Sequence, residues 1–176
     1  AELEALRQVS LDITGRLDLD DLLRAIVERA IELLDGRWGG MYFYLPEQDV
    51  LEWRINVGTP EPVGTRLRRG EGLAGKVWET GQPLIVDNYA TWEGRSPQFE
   101  GLPLSASIAV PVRWGDEFLG VLNLDADATR RTFSQQDAEL LTLFASQAAV
   151  AIKDAQLYKQ ARDLATFNQG LLNVLA

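Results

Sequence analysis

The sequence contains no cysteine and no histidine among its 176 residues. Without thiols, the chain cannot form a disulfide, a zinc–thiolate site, a thiol redox centre or a thioether bond to a chromophore. Without imidazole, it cannot bind haem through histidine or use Ser-His-Asp or Cys-His catalysis, because the general base is missing. Pairs of carboxylates remain, but no two acids lie in an apolar stretch that would separate their pKa values. The sequence therefore predicts no catalytic residue and no metal site.

Long apolar runs are missing as well. No stretch approaches the ~18 consecutive apolar residues that a membrane-spanning helix needs, and residues 1–15 are too acidic for a signal peptide. The chain carries 17 basic and 26 acidic residues, a formal net charge of −9. A protein this acidic gains nothing from counterion release on nucleic acid. We therefore expect a cytoplasmic protein that binds no nucleic acid and does not insert into a membrane.

The C-terminal third has the clearest order of elements. From Gly115 onwards the chain has a turn, an apolar strand over residues 118–124, a polar loop and a long helix. Ser134 and Asp137 have the spacing of a capping box, in which the serine oxygen accepts a backbone hydrogen bond and the carboxylate lies at the positive end of the helix. Pro111, in the strand before the turn, predicts an edge position or a bulge.

Two helices are predicted at the N-terminus. An apolar stripe over residues 3–17 has helical spacing, and Asp18 is positioned to interrupt it and to cap a second helix. A broad apolar face covers residues 22–34. Gly36 then follows, where a left-handed residue commonly ends a helix.

The middle of the chain predicts short strands and one short helix. An aromatic strand at 40–45 and an alternating strand at 50–57 are separated by a turn, which predicts a hairpin. The alternation predicts one common face for four side chains, Leu51, Trp53, Ile55 and Val57. Residues 58–70 are expected to form a loop, and a glycine-bounded helix is expected to end at Gly81 before a strand at 84–86.

The final helix carries a heptad repeat. Leucines recur at Leu157, Leu164 and Leu171, and the alternate positions include Ala161 and Asn168. Leucine at d with asparagine at a favours a parallel two-stranded coiled coil, because two buried asparagine side chains satisfy each other in one register. These residues predict a homodimer through the terminal helices. The alternative is a helix that packs on its own domain.

Four blocks in order resemble the GAF domain family. They are LDLDDLLRAIVERAIELL (17–34), GEGLAGKVWETGQPLIVDN (70–88), SIAVPVRWGDEFLGVLNLDA (107–126) and FSQQDAELLTLFASQAAVAI (133–152). The resemblance implies an α+β fold, related in architecture to PAS domains, with a central antiparallel sheet of about five to six strands. It places the N- and C-terminal helices on one face of the sheet, and a short helix with loops over a small-molecule pocket on the other.

The resemblance also implies candidate pocket residues, which are Trp53, Trp78, Asp87, Asn88, Trp92, Phe99 and Ser107. The alternative is that the aromatics fill the cavity and no ligand binds. Bilin-binding and methionine-sulfoxide-reducing members of the family depend on cysteine, so neither activity is expected. The motif of cyclic-nucleotide binders is matched at Phe133 and Asp137 but not at Ala126, Asp127 and Ala138. The ligand therefore stays unnamed.

Three segments are predicted: a linker or dimerisation helix (1–17), a sensory domain (18–152) and a signalling helix (153–176) that leads to an output domain. Members of the family that this chain resembles regulate signalling proteins such as the histidine kinases of two-component systems and cyclic-nucleotide enzymes. We expect a non-catalytic regulatory module that binds a small ligand and transmits its state through helices that dimerise. A ligand-free dimerisation or interaction domain is the alternative.

Overall fold

The computed structural model describes residues 2–101, 105–127 and 132–176. The helices and strands, in chain order, are α1 (Glu2–Leu34), β1 (Trp38–Leu45), β2 (Val50–Val57), β3 (Arg66–Leu67), α2 (Gly72–Thr80), β4 (Leu84–Val86), β5 (Ser107–Trp114), β6 (Glu117–Asp125) and α3 (Gln135–Leu175). Two single turns of 3-10 helix, at Tyr89–Thr91 and Pro97–Phe99, follow β4.

The strands form one antiparallel sheet in the order β3-β2-β1-β6-β5-β4. The hairpins β1–β2 and β5–β6 meet where β1 pairs with β6, so the two predicted hairpins build the centre of the sheet. The short strands β3 and β4 form its edges. The predicted α+β fold is confirmed. β3 lies in the segment predicted as a loop, because two residues are too few to carry a periodic pattern.

The sheet separates two apolar cores, one on each face. Helices α1 and α3 cover the first face, where the buried side chains include Leu23, Val27, Leu34, Met41, Ile55, Ile108, Leu122, Leu124, Leu141, Ala145 and Ala148. Helix α2 and the 3-10 turns cover the second, where they include Tyr42, Leu51, Trp53, Leu67, Leu73, Val77, Tyr89, Ala109 and Val121. The predicted arrangement of helices on one face and a short helix with loops on the other is confirmed.

A β-bulge in β2 overturns the prediction of one common face for that strand. Met41 pairs with Ile55 and Tyr42 pairs with Trp53, so β2 has an extra residue, Arg54, between the two pairs. A bulge of this kind shifts the side-chain alternation. Trp53 therefore faces the α2 side with Leu51, while Ile55 faces α1 and α3. Simple alternation cannot reveal the switch, because the extra residue is visible only in the pairing.

Helix α1 is continuous, so the predicted break at Asp18 is wrong. Aspartate is a weak interruption: leaving it in a helix costs only tenths of a kcal/mol, whereas a break forfeits backbone hydrogen bonds. Side chains at positions 8–18 lie outside the described part, so the apolar stripe predicted there is untested. The left-handed residue at the helix end is Asp35 (φ 55°), not Gly36. The N–H of Gly36 donates to the carbonyl of Ile31 at 3.0 Å, as in a Schellman ending.

Pro111 lies in β5, which is not an edge strand, but in a part of it that β4 does not cover. β4 pairs with β5 only as far as Ala109, so nothing in the ladder requires an N–H from Pro111 on that side. A register shift follows between Val112 and Arg113.

The predicted capping box begins α3. The Asp137 N–H donates to Ser134 Oγ at 3.2 Å, and the Ser134 N–H donates to Asp137 Oδ2 at 2.8 Å. The last buried residue of α3 is Ile152, and the helix continues to Leu175 without a further buried side chain. It does not fold back on its own domain. Lys153 Nζ still donates to Glu117 Oε2 of β6 at 2.6 Å, and the stretch 154–175, about 33 Å long at 1.5 Å per residue, continues beyond this contact.

Candidate ligand-binding site

A cavity lies between the sheet and the layer that α2, the 3-10 turns and the loop after β2 form over its second face. It contains about 440 Å³ of space not occupied by protein atoms, part of it open to solvent. The lining residues are Tyr42, Trp53, Thr59, Glu61, Leu67, Leu73, Ala74, Tyr89, Phe99, Ser107, Asn123 and Asp125.

The floor of the cavity includes the ring of Trp53, which the bulge turns toward this face. A Cβ at Gly40 would lie only 2.3 Å from that ring and 2.0 Å from the carbonyl oxygen of Ile55, so β1 needs glycine there. The ring of Tyr42 packs on Trp53 with the centroids 4.7 Å apart. Both side chains are almost fully buried.

Two carboxyl groups belong to the lining: Asp125 is buried and Glu61 is half-buried. Ser107 Oγ, on β5, donates to Asp125 Oδ1, on the neighbouring strand β6, at 2.6 Å. Burial raises the pKa of Asp125 to about 6, although the bond from Ser107 lowers it in part. Burial likewise raises the pKa of Glu61 to about 7, against the lowering effect of the Tyr42 hydrogen bond and with a smaller rise from the charge of Asp125.

Glu61 comes from the loop after β2, which Asn56 holds in place. Asn56 Nδ2 donates to the carbonyls of Thr59 and Glu61, each at 3.0 Å, and Asn56 Oδ1 accepts from the Thr59 N–H at 3.0 Å. Tyr42 Oη then donates to Glu61 Oε1 at 2.9 Å. Burial raises the pKa of Tyr42 well above 10, so this phenol remains a donor at neutral pH.

Two buried polar atoms in the lining have no hydrogen-bond partner among the described residues. They are the indole nitrogen Nε1 of Trp53, whose side chain is only 1 % exposed, and Oδ1 of Asn123. An unpaired buried donor or acceptor costs about 1–3 kcal/mol. The residues around the cavity therefore carry one donor and one acceptor that the described part of the protein leaves unused.

The 3-10 turn at Pro97–Phe99 forms a lid that side chains tie to α2. Glu71, at the start of α2, accepts from Gln98 Nε2 at 2.8 Å and from the Arg68 N–H at 2.9 Å. The Ser96 N–H donates to Tyr89 Oη at 3.0 Å. Phe99 contacts the ring of Tyr89 edge-on, at 6.3 Å between centroids. Hydrogen bonds to one carboxylate, that of Glu71, and one phenol, that of Tyr89, therefore hold the lid in place.

The comparison with known families identifies the fold. The sequence model of the GAF domain matches residues 16–153, which include every strand of the sheet and the whole cavity lining. The chain belongs to the GAF family.

Individual relatives agree with the assignment. The Nif-specific regulatory protein of Azospirillum lipoferum is 26 % identical over 182 residues, an alignment that covers 93 % of this chain and 29 % of that protein. The nitrogen fixation protein AnfA of Azotobacter vinelandii is 26 % identical over 157 residues, with 86 % of this chain and 30 % of AnfA covered. The chain thus spans less than a third of the length of these curated relatives. The first of these relatives is named as a regulatory protein and the second as a nitrogen fixation protein.

A solved GAF domain has the same fold. The GAF domain of a phosphoenolpyruvate-protein phosphotransferase from Coxiella burnetii superposes with a TM-score of 0.73 at 20 % identity, over 90 % of this chain and 96 % of that one. At this identity the likeness shows the fold alone.

The GAF cavity brings together three of the seven predicted pocket residues, Trp53, Phe99 and Ser107. Trp78 lies outside the lining, because its ring packs with Tyr44 at 5.2 Å and stacks on Phe118 at 6.1 Å. Trp92 also lies outside the lining, and its ring packs against that of Tyr89 with the centroids 5.6 Å apart.

Asp87 and Asn88 are corrections to the predicted pocket. Both are exposed and outside the lining. Asn88 instead caps the first 3-10 turn, since its Oδ1 accepts from the Ala90 N–H at 3.1 Å. β4 is only three residues long, so the chain leaves the sheet before these side chains can reach the cavity.

Sequence analysis missed most of the polar lining, namely Tyr42, Thr59, Glu61, Tyr89, Asn123 and Asp125. Asn123 and Asp125 alternate with Leu122 and Leu124, which in an antiparallel strand is the ordinary pattern of one buried and one solvated face, so the sequence did not mark them as cavity residues. Glu61 carried no signal either, because a loop acid is ordinarily solvated.

The predicted dimer residues all lie on the projecting part of α3. Leu157, Ala161, Leu164, Asn168 and Leu171 are exposed in the single chain. In the described part of the chain, no three acidic side chains come together as a metal site. None of the described helices combines the length and apolar character needed to cross a bilayer.

Proposed function

We propose that this chain is a non-catalytic, ligand-sensing GAF module of a larger cytoplasmic regulatory protein. A small molecule binds in the cavity, and its presence changes how the terminal helices are held. Relatives named as a Nif-specific regulatory protein and AnfA support a regulatory parent. The histidine kinase or cyclase expected from the family resemblance stays a prediction, and so does the output domain that follows α3.

The single observation that carries ligand binding is the pair of unpaired buried atoms, Trp53 Nε1 and Asn123 Oδ1. Buried polar groups are nearly always hydrogen-bonded, so each one without a partner needs an explanation. Both belong to residues that line the same cavity. A ligand that supplies one acceptor and one donor satisfies both and recovers the free energy that they cost.

The strands under the cavity link a ligand to the helices. Ser107 and Asp125 are directly paired across β5 and β6 and face the cavity. The next residues, Ile108 and Leu124, face the opposite way into the core that includes Leu141 of α3. A ligand that shifts the β5–β6 hairpin therefore changes the surface on which α3 packs, and it selects between two helix arrangements by its differential affinity for them.

Native mass spectrometry of the purified protein tests ligand binding. We expect a species heavier than the 19.6 kDa chain that loses its extra mass on denaturation. Trp53→Phe removes the indole donor and should release the bound molecule, whereas Trp114→Phe, at an exposed hairpin tip, should retain it. An unliganded mass, together with crystals that hold only water in the cavity, would contradict the proposal.

The second candidate is a ligand-free dimerisation domain. It is favoured by the exposed leucines of α3 and needs no occupant of the cavity. If Trp53→Phe leaves stability and mass unchanged while the chain is a dimer, this candidate replaces the first.

A further inference from the structure

We propose that the ligand is a small organic cation: a protonated amine that also carries a hydrogen-bond acceptor. The inference rests on the proposed function, since it names the class of molecule that fills the same cavity.

The charge of the lining favours a cation. The described lining holds two carboxyl groups, Asp125 and Glu61, and neither lysine nor arginine. An anion here would lie beside these carboxyls in a partly desolvated space, where repulsion is much stronger than in water. A cation meets the opposite field and compensates charges whose burial is otherwise costly.

The unpaired atoms require more than a point charge. Trp53 Nε1 is a donor and needs an acceptor, while Asn123 Oδ1 is an acceptor and needs a donor. An ammonium group donates to Asn123 and to the carboxyls but accepts nothing. The same molecule must therefore also carry an oxygen, such as a hydroxyl, that accepts from Trp53.

Aromatic walls suit such a molecule. Tyr42, Trp53, Tyr89 and Phe99 contribute rings to the lining. Ring faces attract cations by about 0.5–2 kcal/mol when the site is desolvated. The same rings bury the carbon skeleton of an amine.

The pKa values of the carboxyl groups that face the cavity agree with this assignment. The titratable groups that face it are Tyr42, Glu61, Tyr89 and Asp125, with Arg95 near Tyr89. Burial raises the pKa of Asp125 to about 6 and that of Glu61 to about 7. A bound cation favours the ionised carboxylates, so binding releases protons, and amine affinity should rise between about pH 5 and pH 8.

Two series of matched molecules test the class of ligand by isothermal calorimetry. The first is ethanolamine, ethylene glycol and glycolate, and the second is tyramine, 4-hydroxyphenylethanol and 4-hydroxyphenylacetate. Within each series the skeleton is kept and only the charge of one end changes. We expect the amine to bind at least tenfold more tightly than its neutral and anionic counterparts in at least one series.

Isosteric variants assign the effect to the two carboxyls. Asp125→Asn and Glu61→Gln should each lower amine affinity about tenfold or more, because a hydrogen bond to a charged group is lost. They should also flatten its rise with pH. Asp87→Asn, which neutralises an exposed acid outside the lining, should change neither quantity.

The outcomes separate this inference from the proposed function. If a neutral or anionic member binds as tightly as the amine and Trp53→Phe abolishes that binding, the cavity is a ligand site but the amine assignment is wrong. If no member of either series binds, the amine assignment is also wrong, and the native mass spectrum alone decides whether a ligand exists.

Discussion

At the scale of single residues, the feature that stands out is Asp125, an acidic side chain in the cavity lining next to an apolar core. Asp125 is 8 % exposed and its described partner is a neutral hydroxyl, that of Ser107. Burying a carboxylate without a counter-charge is costly, so the folded state holds the proton that the unfolded chain would release. An acid retained in such a position weakens the fold at neutral pH. We propose that this acid is retained, despite the lost stability, because it takes part in binding the ligand.

The stability of the protein should fall as the pH rises through the range in which Asp125 titrates. Its pKa is raised from an ordinary 3.8 to about 6, so the folded state binds more protons than the unfolded state between these values. The free energy of unfolding then decreases by roughly 2 kcal/mol between about pH 4.5 and pH 7.5 because of this residue. Urea unfolding at both pH values should show a smaller decrease for Asp125→Asn than for the wild type. An identical pH dependence in the two proteins would mean that Asp125 is not protonated on folding.

Gly40→Ala should destabilise the protein by about 1–3 kcal/mol, because the added methyl group overlaps the Trp53 ring and the Ile55 carbonyl. The tryptophan fluorescence should shift as the Trp53 ring moves. Gly170→Ala is a suitable control, since a Cβ there meets nothing within 4 Å and alanine favours a helix. A Gly40→Ala protein with unchanged stability and fluorescence would show that the close approach is not required.

At the scale of elements, short segments without periodicity decide the site. The 3-10 turn at Pro97–Phe99 has three residues, and its position depends on Glu71 and Tyr89 from elsewhere in the chain. A short segment of this kind opens at lower cost than the strands around it. We therefore propose it as the part of the cavity wall through which a ligand enters.

Glu71→Ala should loosen the lid without unfolding the domain. It removes the acceptor for Gln98 and Arg68, so backbone amides at 96–100 should exchange with deuterium at least tenfold faster. Glu79→Ala, an exposed acid at the other end of α2, serves as the control. Equal exchange in both variants would show that the Glu71 contacts do not hold the lid.

At the scale of the whole molecule, α3 connects the sheet to an apolar stripe that is exposed in the described structure. Val150, Leu157, Leu164 and Leu171 are 46–60 % exposed and recur every seven residues. Leu143, one heptad earlier, is 63 % exposed. A stripe of this length is an interaction surface in most proteins. The heptad pattern favours a second copy of the chain as the partner.

Sedimentation equilibrium should show a homodimer that the double variant Leu164→Glu, Leu171→Glu converts to a monomer, since charged residues at d positions face each other in the seam. Thr166→Glu introduces the same charge at an f position, away from the seam, and should leave the dimer intact. A monomeric wild type at high concentration would contradict the coiled-coil prediction.

The sequence by itself determined the elements whose signals are local. The capping box of Ser134 and Asp137 and the bounds of β2 and β4 follow from patterns within one turn or one strand, whereas the layering of the sheet was expected from the resemblance to the GAF family. The exclusions that follow from missing cysteine and histidine need no structure at all.

Only the tertiary structure decided what the cavity contains. Arg54 is an extra residue only relative to β1, and this pairing turns Trp53 to the cavity while Ile55 faces the helices. Asp125 comes from β6 and Glu61 from a distant loop, and neither position is distinctive until burial removes both from water. Bulges and desolvation are properties of contacts between distant segments, so local pattern cannot encode them.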